Sequence, residues 1–228
     1  MRICGVILAG GIGKRFGGDI PKQFQNLNGK PVIEYSLERL SAYCGRIVLV
    51  SHRDWISKSK DVIKKGLNVT IVEGGETRQI SVYNGLRELS KELWDVVIIH
   101  DGVRPLFSRE TVERGIRMAS LKGAAIPVLP VRESLLAAVN GRIRRYINRE
   151  NMYSIQTPQF FKFNLIWKAH QKALKKKRFD FTDDSRLFEI IRMPVDIMEG
   201  DLKNIKITTP LDLIICSKIL QEDSNERK

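Results

Sequence analysis

The sequence predicts a doubly wound α/β fold with a mostly parallel sheet. Short runs of apolar, often β-branched residues alternate with amphipathic segments of helical length. Such runs are apolar throughout, as is typical of strands buried on both faces of a parallel sheet. In this fold the carboxyl ends of the strands meet at one edge, where ligands bind. The length, 228 residues, suits a single domain over 1–228.

The periodicity predicts the following order of elements. Strands are expected at 3–8, 47–50, 69–72, 96–99 and 124–128, with helices at 31–42, 55–65, 78–92 and 109–121. Later come a helix at about 162–175, another after 182–185, a strand at 195–198 and a last helix. Thr209 before Pro210 predicts the start of that last helix, since a threonine cap followed by proline is a favoured helix start.

A β-arm is predicted at about 131–155, where the alternation stops. Asn140-Gly141 lies between two extended runs, which is a strong hairpin signal. The hairpin reads as polar on both faces and is too small to be stable alone. We therefore expect an arm that leans on a second copy of the chain, in a homodimer.

The charge balance limits the partners. Lys and Arg number 39 against 26 Asp and Glu, a formal net charge of +13. This charge fits nucleic acid, an anionic membrane surface or small anionic substrates. The cations are spread along the chain without the interleaved aromatic residues that a single-strand binder would need, so most of them are interpreted as solvated helix faces and no nucleic-acid partner is expected. A basic nucleic-acid-binding protein remains the alternative from another class.

Composition also predicts the compartment. No apolar run is long enough to cross a bilayer, and the N-terminus does not resemble a signal peptide, so no membrane partner is expected. Cys4, Cys44 and Cys216 are spaced neither as a metal clip nor as a disulfide framework. These observations predict a cytoplasmic protein with reduced thiols.

A glycine turn ends the first strand. Gly10, Gly11 and Gly13 expose backbone N–H groups, and the cations Arg15 and Lys22 follow. Bare N–H groups beside fixed cations form a seat for a polyphosphate. A plain strand-to-helix turn is the structural alternative.

Two commoner glycine motifs do not fit this turn. The dinucleotide fingerprint requires a third glycine where Phe16 stands, which argues against an NAD-type oxidoreductase. A P-loop requires Ser or Thr after Lys14, where Arg15 stands.

Three further segments carry candidate chemistry. Asp101 ends a buried strand, where a carboxylate can hold Mg²⁺; the alternatives are that it caps the next turn or pairs with Arg104. Gly75, Glu76 and Ser81 follow another strand and could face a base. Arg149 and Lys206 are lone late cations, which on pattern alone are typical of a surface.

Ordered motifs give the chain a resemblance to a known family. It resembles the 2-C-methyl-D-erythritol 4-phosphate cytidylyltransferases over about residues 2–220, and less closely the ribitol-5-phosphate cytidylyltransferases. Residues 130–134 and Asn148-Arg149 favour the former. The motifs are Leu8-Ala9-Gly10-Gly11-x-Gly13-x-Arg15, Pro21-Lys22-Gln23, Gly74-Gly75, His100-Asp101-x-x-Arg104-Pro105, Gln156-Thr157-Pro158-Gln159, Thr182-Asp183-Asp184 and Asn204-Ile205-Lys206-Ile207-Thr208.

The resemblance implies a Rossmann-like nucleotidyltransferase core, an arm exchanged in a homodimer, and attack of a polyol phosphate on CTP with Mg²⁺ present. It implies Arg15 and Lys22 as catalytic residues and Asp101 as the metal ligand. The implied nucleotide-binding positions are Ala9, Gly10, Gly11, Gly13, Gly75, Glu76, Ser81, Asp101 and Gly102. The implied substrate-positioning residues are Arg104, Ser134, Arg149 and Lys206, with Ser134 reaching in from the partner's arm.

The chain departs from the family pattern at four positions. The family usually has Asp at Glu76, Ala at Gly102, Thr at Ser134 and Lys at Leu136. These departures spare the proposed catalytic cations and bear on the second substrate.

Overall fold

The computed structural model describes residues 1–11, 16–17 and 20–225. The strands are β1 (Ile3–Ala9), β2 (Asn26–Leu27), β3 (Lys30–Pro31), β4 (Arg46–Ser51), β5 (Val69–Glu73), β6 (Val96–Asp101), β7 (Ala124–Pro130), β8 (Leu135–Val139), β9 (Arg142–Ile147), β10 (Tyr153–Ile155), β11 (Gln159–Lys162) and β12 (Asp196–Glu199). The helices are α1 (Val32–Ser41), α2 (Ile56–Asp61), α3 (Arg78–Leu89), α4 (Arg109–Lys122), α5 (Phe163–Lys175), α6 (Phe188–Ile191) and α7 (Pro210–Asn225).

The central sheet is mixed and mostly parallel, as predicted. Its order runs β10, β7, β11, β6, β1, β4, β5, and β12 also pairs with β7. β6, β1, β4 and β5 pair in parallel, whereas β10 and β11 are antiparallel to their neighbours. These two antiparallel strands were not predicted from the sequence.

Helices cover both faces of the sheet. One face packs on Val82 and Leu86 of α3 and Ile166 of α5, and the other on Leu37 of α1 and Val112 of α4. All five side chains are fully buried. Burial of each contributes roughly 1.5–3 kcal/mol. The fold is therefore doubly wound, and the strand ends are held rigidly at one edge.

The hairpin predicted within the arm segment is present as the separate antiparallel pair of β8 and β9. Asn140 and Gly141 have φ of 50° and 73°, the left-handed pair that a tight hairpin turn requires. The expectation of two polar faces is wrong, because Leu136 pairs with Tyr146 in register and both are exposed, by 47% and 75%. Tyr153–Ile155 pairs with β7 in the main sheet, so the hairpin is shorter than the predicted arm.

Several helix boundaries differ from the prediction. The helix expected at 55–65 covers only Ile56–Asp61, because the chain tightens into a 3₁₀-type turn and reverses near Gly66, where φ is +95°. The helix expected after 182–185 is the short 3₁₀ segment Ser185–Leu187 followed by α6. The last helix begins at Pro210 as predicted. Within the residues described, no helix has both the length and the apolar character needed to span a bilayer.

Candidate active site

A cleft opens at the carboxyl edge of the sheet. β1, β4 and β6 end level with one another, since Ala9 is opposite Ser51 and Leu8 is opposite Asp101. The cleft has a volume of about 500 Å³. The predicted site residues that line it are Ala9, Gly10, Gly11, Lys22, Gly75, Glu76, Ser81, Asp101 and Lys206.

The glycine turn and Lys22 form one wall of the cleft. Lys22 opens a short 3₁₀ segment, Lys22–Phe24, after Pro21. The next residue, Gln23, is buried and donates from Nε2 to the Ala9 carbonyl at 2.7 Å and to the Gly11 carbonyl at 3.1 Å. The sequence placed Gln23 in a motif but gave it no role. Gly13 and Arg15 lie outside the described residues.

Asp101 is held between two cations at the centre of the cleft. Lys206 Nζ donates to its Oδ2 at 2.6 Å, and the Arg78 guanidinium is 3.4 Å from its Oδ1. Burial favours the neutral acid, but Arg78 and Lys206 outweigh it and hold the pKa of Asp101 far below its usual range. The carboxylate is therefore anionic at neutral pH.

Arg78 links the cleft to the interior. Its Nη1 donates to Asp184 at 2.6 Å, and Asp184 is buried. Burial alone would raise the pKa of Asp184, but Arg78 and then His170 lower it below the ordinary range. Burial opposes the charge of Arg78, yet Asp184 and Asp101 raise its pKa, so the guanidinium stays protonated. The sequence did not identify Arg78 as a site residue, because its partner Asp184 is 106 residues further along the chain.

A hydrogen-bonded layer lies under Asp101. The backbone N–H of Asp101 donates to Thr157 Oγ1 at 3.0 Å, and this hydroxyl is 3.1 Å from Nδ1 of His100. Nε2 of His100 is 3.1 Å from the Arg104 carbonyl. Arg104 itself donates to the Asn204 carbonyl at 2.8 Å. One alternative raised by the sequence was an ion pair between Asp101 and Arg104. In the structure the Asp101 carboxylate instead pairs with Arg78 and Lys206.

The predicted base-binding residues form the opposite wall. The Gly75 N–H donates to Ser81 Oγ at 3.0 Å, and Ser81 Oγ donates to the Thr77 carbonyl at 2.9 Å. A Cβ on Gly75 would overlap the Ile80 side chain, so this backbone approaches α3 as only glycine can. Glu76 is exposed at the mouth of the cleft.

The cleft offers few carboxylates for a metal ion. Among the described residues, no group of three or more His, Cys, Asp or Glu side chains could hold one. Mg²⁺, however, is commonly bound by one or two carboxylates together with substrate phosphates. A single anionic Asp101 beside a phosphate seat fits that donor set.

Four predicted residues are not part of the cleft lining in this chain. Gly102 and Arg104 lie just beyond Asp101 in the segment after β6. Ser134 and Arg149 are exposed at the base of the arm, where Arg149 donates to the Arg132 carbonyl. Their proposed contact with substrate therefore stays a prediction.

Comparison with known proteins agrees with this geometry. The family model described as 2-C-methyl-D-erythritol 4-phosphate cytidylyltransferase matches residues 3–222. The chain belongs to this family. A relative of that name from Clostridium perfringens is 40% identical over 96% of this chain and 99% of its own. One from Thermosipho africanus is 38% identical, over 92% of this chain and 95% of its own.

A solved structure extends the agreement to the fold. The 4-diphosphocytidyl-2C-methyl-D-erythritol synthase of Anaerococcus prevotii superposes with a TM-score of 0.81 at 31% identity, covering 96% of this chain and 98% of that one. Family membership therefore rests on nearly the full length of both chains. The methylerythritol branch of the cytidylyltransferases is supported over the ribitol branch.

Proposed function

We propose that this chain joins the cytidylyl group of CTP to 2-C-methyl-D-erythritol 4-phosphate, with release of pyrophosphate, in isoprenoid precursor synthesis. The observation that carries the proposal is the meeting of Lys22, Asp101 and Lys206 with the glycine turn around one cleft. These residues come from three distant segments, and a structural role alone would not require them to converge. The family names of the relatives support the same reaction.

The chemistry is a transfer at phosphorus. An oxygen of the substrate's phosphate forms a bond to the α-phosphorus of CTP, and the bond from that phosphorus to the bridging oxygen breaks. Pyrophosphate leaves with the electron pair. Because the attacking oxygen is already anionic, no protein base is needed, and positioning with charge stabilisation carries the reaction. His100 is buried and hydrogen-bonded to Thr157 and to the Arg104 carbonyl, and it takes no part as a base in this proposal.

The nucleotide would lie across the cleft, from the glycine turn after β1 to the Gly75 segment after β5. In this proposal Lys22 and Arg15 stabilise the charge that develops on the α-phosphate, and Gly10, Gly11 and Gly13 hold the triphosphate with Ala9. Gly75, Glu76 and Ser81 contact the cytosine, with Gly102 near the ribose. Asp101 would hold Mg²⁺, which supplies positive charge to the phosphates when bound.

The second substrate would lie near the late cations. Arg104 and Lys206 belong to one group around Asp101 and Asn204. Arg149 lies at the base of the arm and is proposed to reach the substrate phosphate, with Ser134 of the partner subunit completing the site. This arrangement requires a homodimer built through the arm. Light scattering should give twice the chain mass, and a fully active monomer would contradict this part of the proposal.

A cytoplasmic setting is part of the proposal. Cys4, Cys44 and Cys216 are free thiols. Burial raises the pKa of Cys44 to about 12 and that of Cys216 to about 11, so neither is readily ionised. Unpaired, unreactive thiols agree with a reducing compartment.

The test compares two polyol phosphates. The protein is incubated with CTP, Mg²⁺ and either methylerythritol phosphate or ribitol phosphate, and pyrophosphate is measured. We expect turnover with methylerythritol phosphate and a loss on the order of 10²–10³ in Lys22→Met. The exposed Lys60→Met is the control and should stay active. Silence with both substrates would refute the activity, and preference for ribitol phosphate would change the substrate.

A further inference from the structure

Gln23 is a buried amide bound to the glycine turn at two points. Its side chain is in the cleft wall, and the residue is 1% exposed. The single Nε2 group donates to the carbonyls of Ala9 and Gly11, at 2.7 and 3.1 Å. Those two carbonyls are two residues apart, so one side chain holds the turn at both Ala9 and Gly11.

The Gln23 amide donates to the end of β1 where a neighbouring strand would otherwise donate. In an extended chain successive carbonyls point to opposite sides. The Leu8 carbonyl accepts from the Gly102 N–H at 3.0 Å, on the side of β6. The Ala9 carbonyl therefore faces the side of β4, which ends at Ser51, opposite Ala9. Beyond that point the Gln23 amide supplies the donors that a longer strand would have supplied.

This bonding sets the direction of the Gly10 N–H. Across a trans peptide unit, the C=O and the following N–H point in opposite directions. With the Ala9 carbonyl held by Gln23, the Gly10 N–H is turned to the side of β6, which ends at Asp101 in the cleft.

The turn is also open to a ligand at Gly10. Among the residues that the structure describes, and leaving out its chain neighbours, a Cβ built there would have only the His52 backbone nitrogen within 4 Å, at 3.9 Å. A backbone donor in open space beside a cationic cleft is suited to a phosphate oxygen.

We propose that Gln23 is a positioning residue that aims the Gly10 N–H at the triphosphate of CTP. This rests on the proposed function, because it assigns the triphosphate to that turn. The residue type follows from the chemistry: an amide offers two uncharged donors on one nitrogen, whereas glutamate offers none when ionised and methionine none at all. Donors that are fixed before binding lose little freedom when the ligand arrives.

The experiment measures binding of two probes by calorimetry. Inorganic tripolyphosphate reports on the turn, and cytidine reports on the base pocket around Gly75 and Ser81. In Gln23→Met we expect the affinity for tripolyphosphate to fall about tenfold, the scale of one or two net hydrogen bonds, with that for cytidine unchanged. Gln25→Met is the matched control, since Gln25 donates from Nε2 to the Ile20 carbonyl at 2.8 Å on the same segment. It should bind both probes as the wild type does.

A second variant separates positioning from folding. Gln23→Glu should bind tripolyphosphate more weakly than Gln23→Met at neutral pH, because its carboxylate repels both the carbonyls and the ligand. Relative to the wild type at each pH, its affinity should recover as the pH falls and the carboxyl gains a proton to donate. A role confined to stability predicts no such recovery.

The outcomes distinguish this inference from the proposed function. Equal weakening of both probes in Gln23→Met, or no weakening, would overturn the role of Gln23. If the wild-type protein binds tripolyphosphate but releases no pyrophosphate from CTP, the proposed function is refuted. The role of Gln23 in binding a polyphosphate is then unaffected. Wild-type protein that does not bind tripolyphosphate would overturn the role of Gln23, and pyrophosphate release alone would then decide the proposed function.

Discussion

The Thr157 hydroxyl is 3.1 Å from Nδ1 of His100, directly beneath the floor of the cleft. The same hydroxyl accepts from the Asp101 N–H, so its own proton is available to the histidine. Nδ1 is then the acceptor and Nε2 carries the proton, which it donates to the Arg104 carbonyl. One neutral histidine thus connects the backbone of Asp101 with that of Arg104.

Removing the Thr157 hydroxyl should destabilise the protein. In Thr157→Val the Asp101 N–H and His100 Nδ1 lose a common partner in a buried region, which costs about 1–3 kcal/mol. The free energy of unfolding in urea measures the loss. Thr157→Ser is the control, because it keeps the hydroxyl and loses only a methyl group. Equal stability of the two variants would show that the hydroxyl contributes nothing.

His100 should make stability depend on pH in a mildly acidic range. Burial lowers the pKa of His100 to about 3, whereas a histidine in the unfolded chain titrates near 6.5. Between these values the unfolded state binds the extra proton, so the free energy of unfolding falls as the pH falls, by up to about 1.4 kcal/mol per unit. Urea midpoints at pH 6.5, 5.5 and 4.5 measure the slope.

A variant assigns that slope to one histidine. The depressed pKa values of Asp101 and Asp184 contribute stability that is lost only below about pH 4, near the pKa of an unfolded aspartate. Burial would raise the pKa of Glu38, but Lys30 and Lys64 lower it, and Lys91 and Arg46 lower that of Glu88, so both add to the slope as the pH falls toward 4.5. The step from pH 6.5 to 5.5 is therefore the one that reports on His100. His100→Gln should flatten the slope, whatever its effect on absolute stability. An unchanged slope in His100→Gln would disprove the assignment.

Arg78→Met should be strongly destabilising. It leaves the Asp184 and Asp101 carboxylates, 1% and 10% exposed, without their shared cation, at a cost of about 3–5 kcal/mol. Arg46→Met is the matched control: Arg46 is 16% exposed, but its partners Glu88 and Glu92 are 20% and 39% exposed. Water can solvate those carboxylates, so we expect a loss of about 1 kcal/mol. Urea unfolding that gave equal losses would refute the argument from partner burial.

The predictable part of the site is the part fixed by strand geometry. Asp101 and the glycine turn follow apolar runs, and parallel strands bring their ends to one edge whatever the loops do. Gln23, Arg78 and Thr157 were missed as site residues because each depends on a contact made in the tertiary structure. The Arg78–Asp184 pair crosses 106 positions. No local periodicity reports such a contact.

The same limit explains the missed strands. β11 is only four residues long and begins directly after Pro158, so it offers neither length nor alternation as a signal. Its place is set by pairing with β6 and β7, which the fold brings together. The arm shows the reverse case. Its Asn-Gly turn was predictable because the signal is local, whereas its exposed apolar residues emerged only with the strand register.

Gly102 lies too close to its neighbours to carry a side chain. A Cβ here would overlap the δ-methyl of Ile33 and lie 3.1 Å from the Leu8 carbonyl oxygen. In this chain Ile33, which is fully buried, fills the space that an alanine methyl would need.

Gly102→Ala should therefore destabilise the protein, by about 1–3 kcal/mol, through overpacking. Ile33→Val removes the overlapping methyl and alone should cost about 0.5–1.5 kcal/mol. If the two positions share one space, the double variant loses less stability than the two single losses added together. Urea unfolding of the wild type, the two single variants and the double variant measures these losses as a double-mutant cycle. Additive losses would mean that Ile7 and the Leu8 carbonyl, each 3.1 Å from such a Cβ, exclude the alanine rather than Ile33.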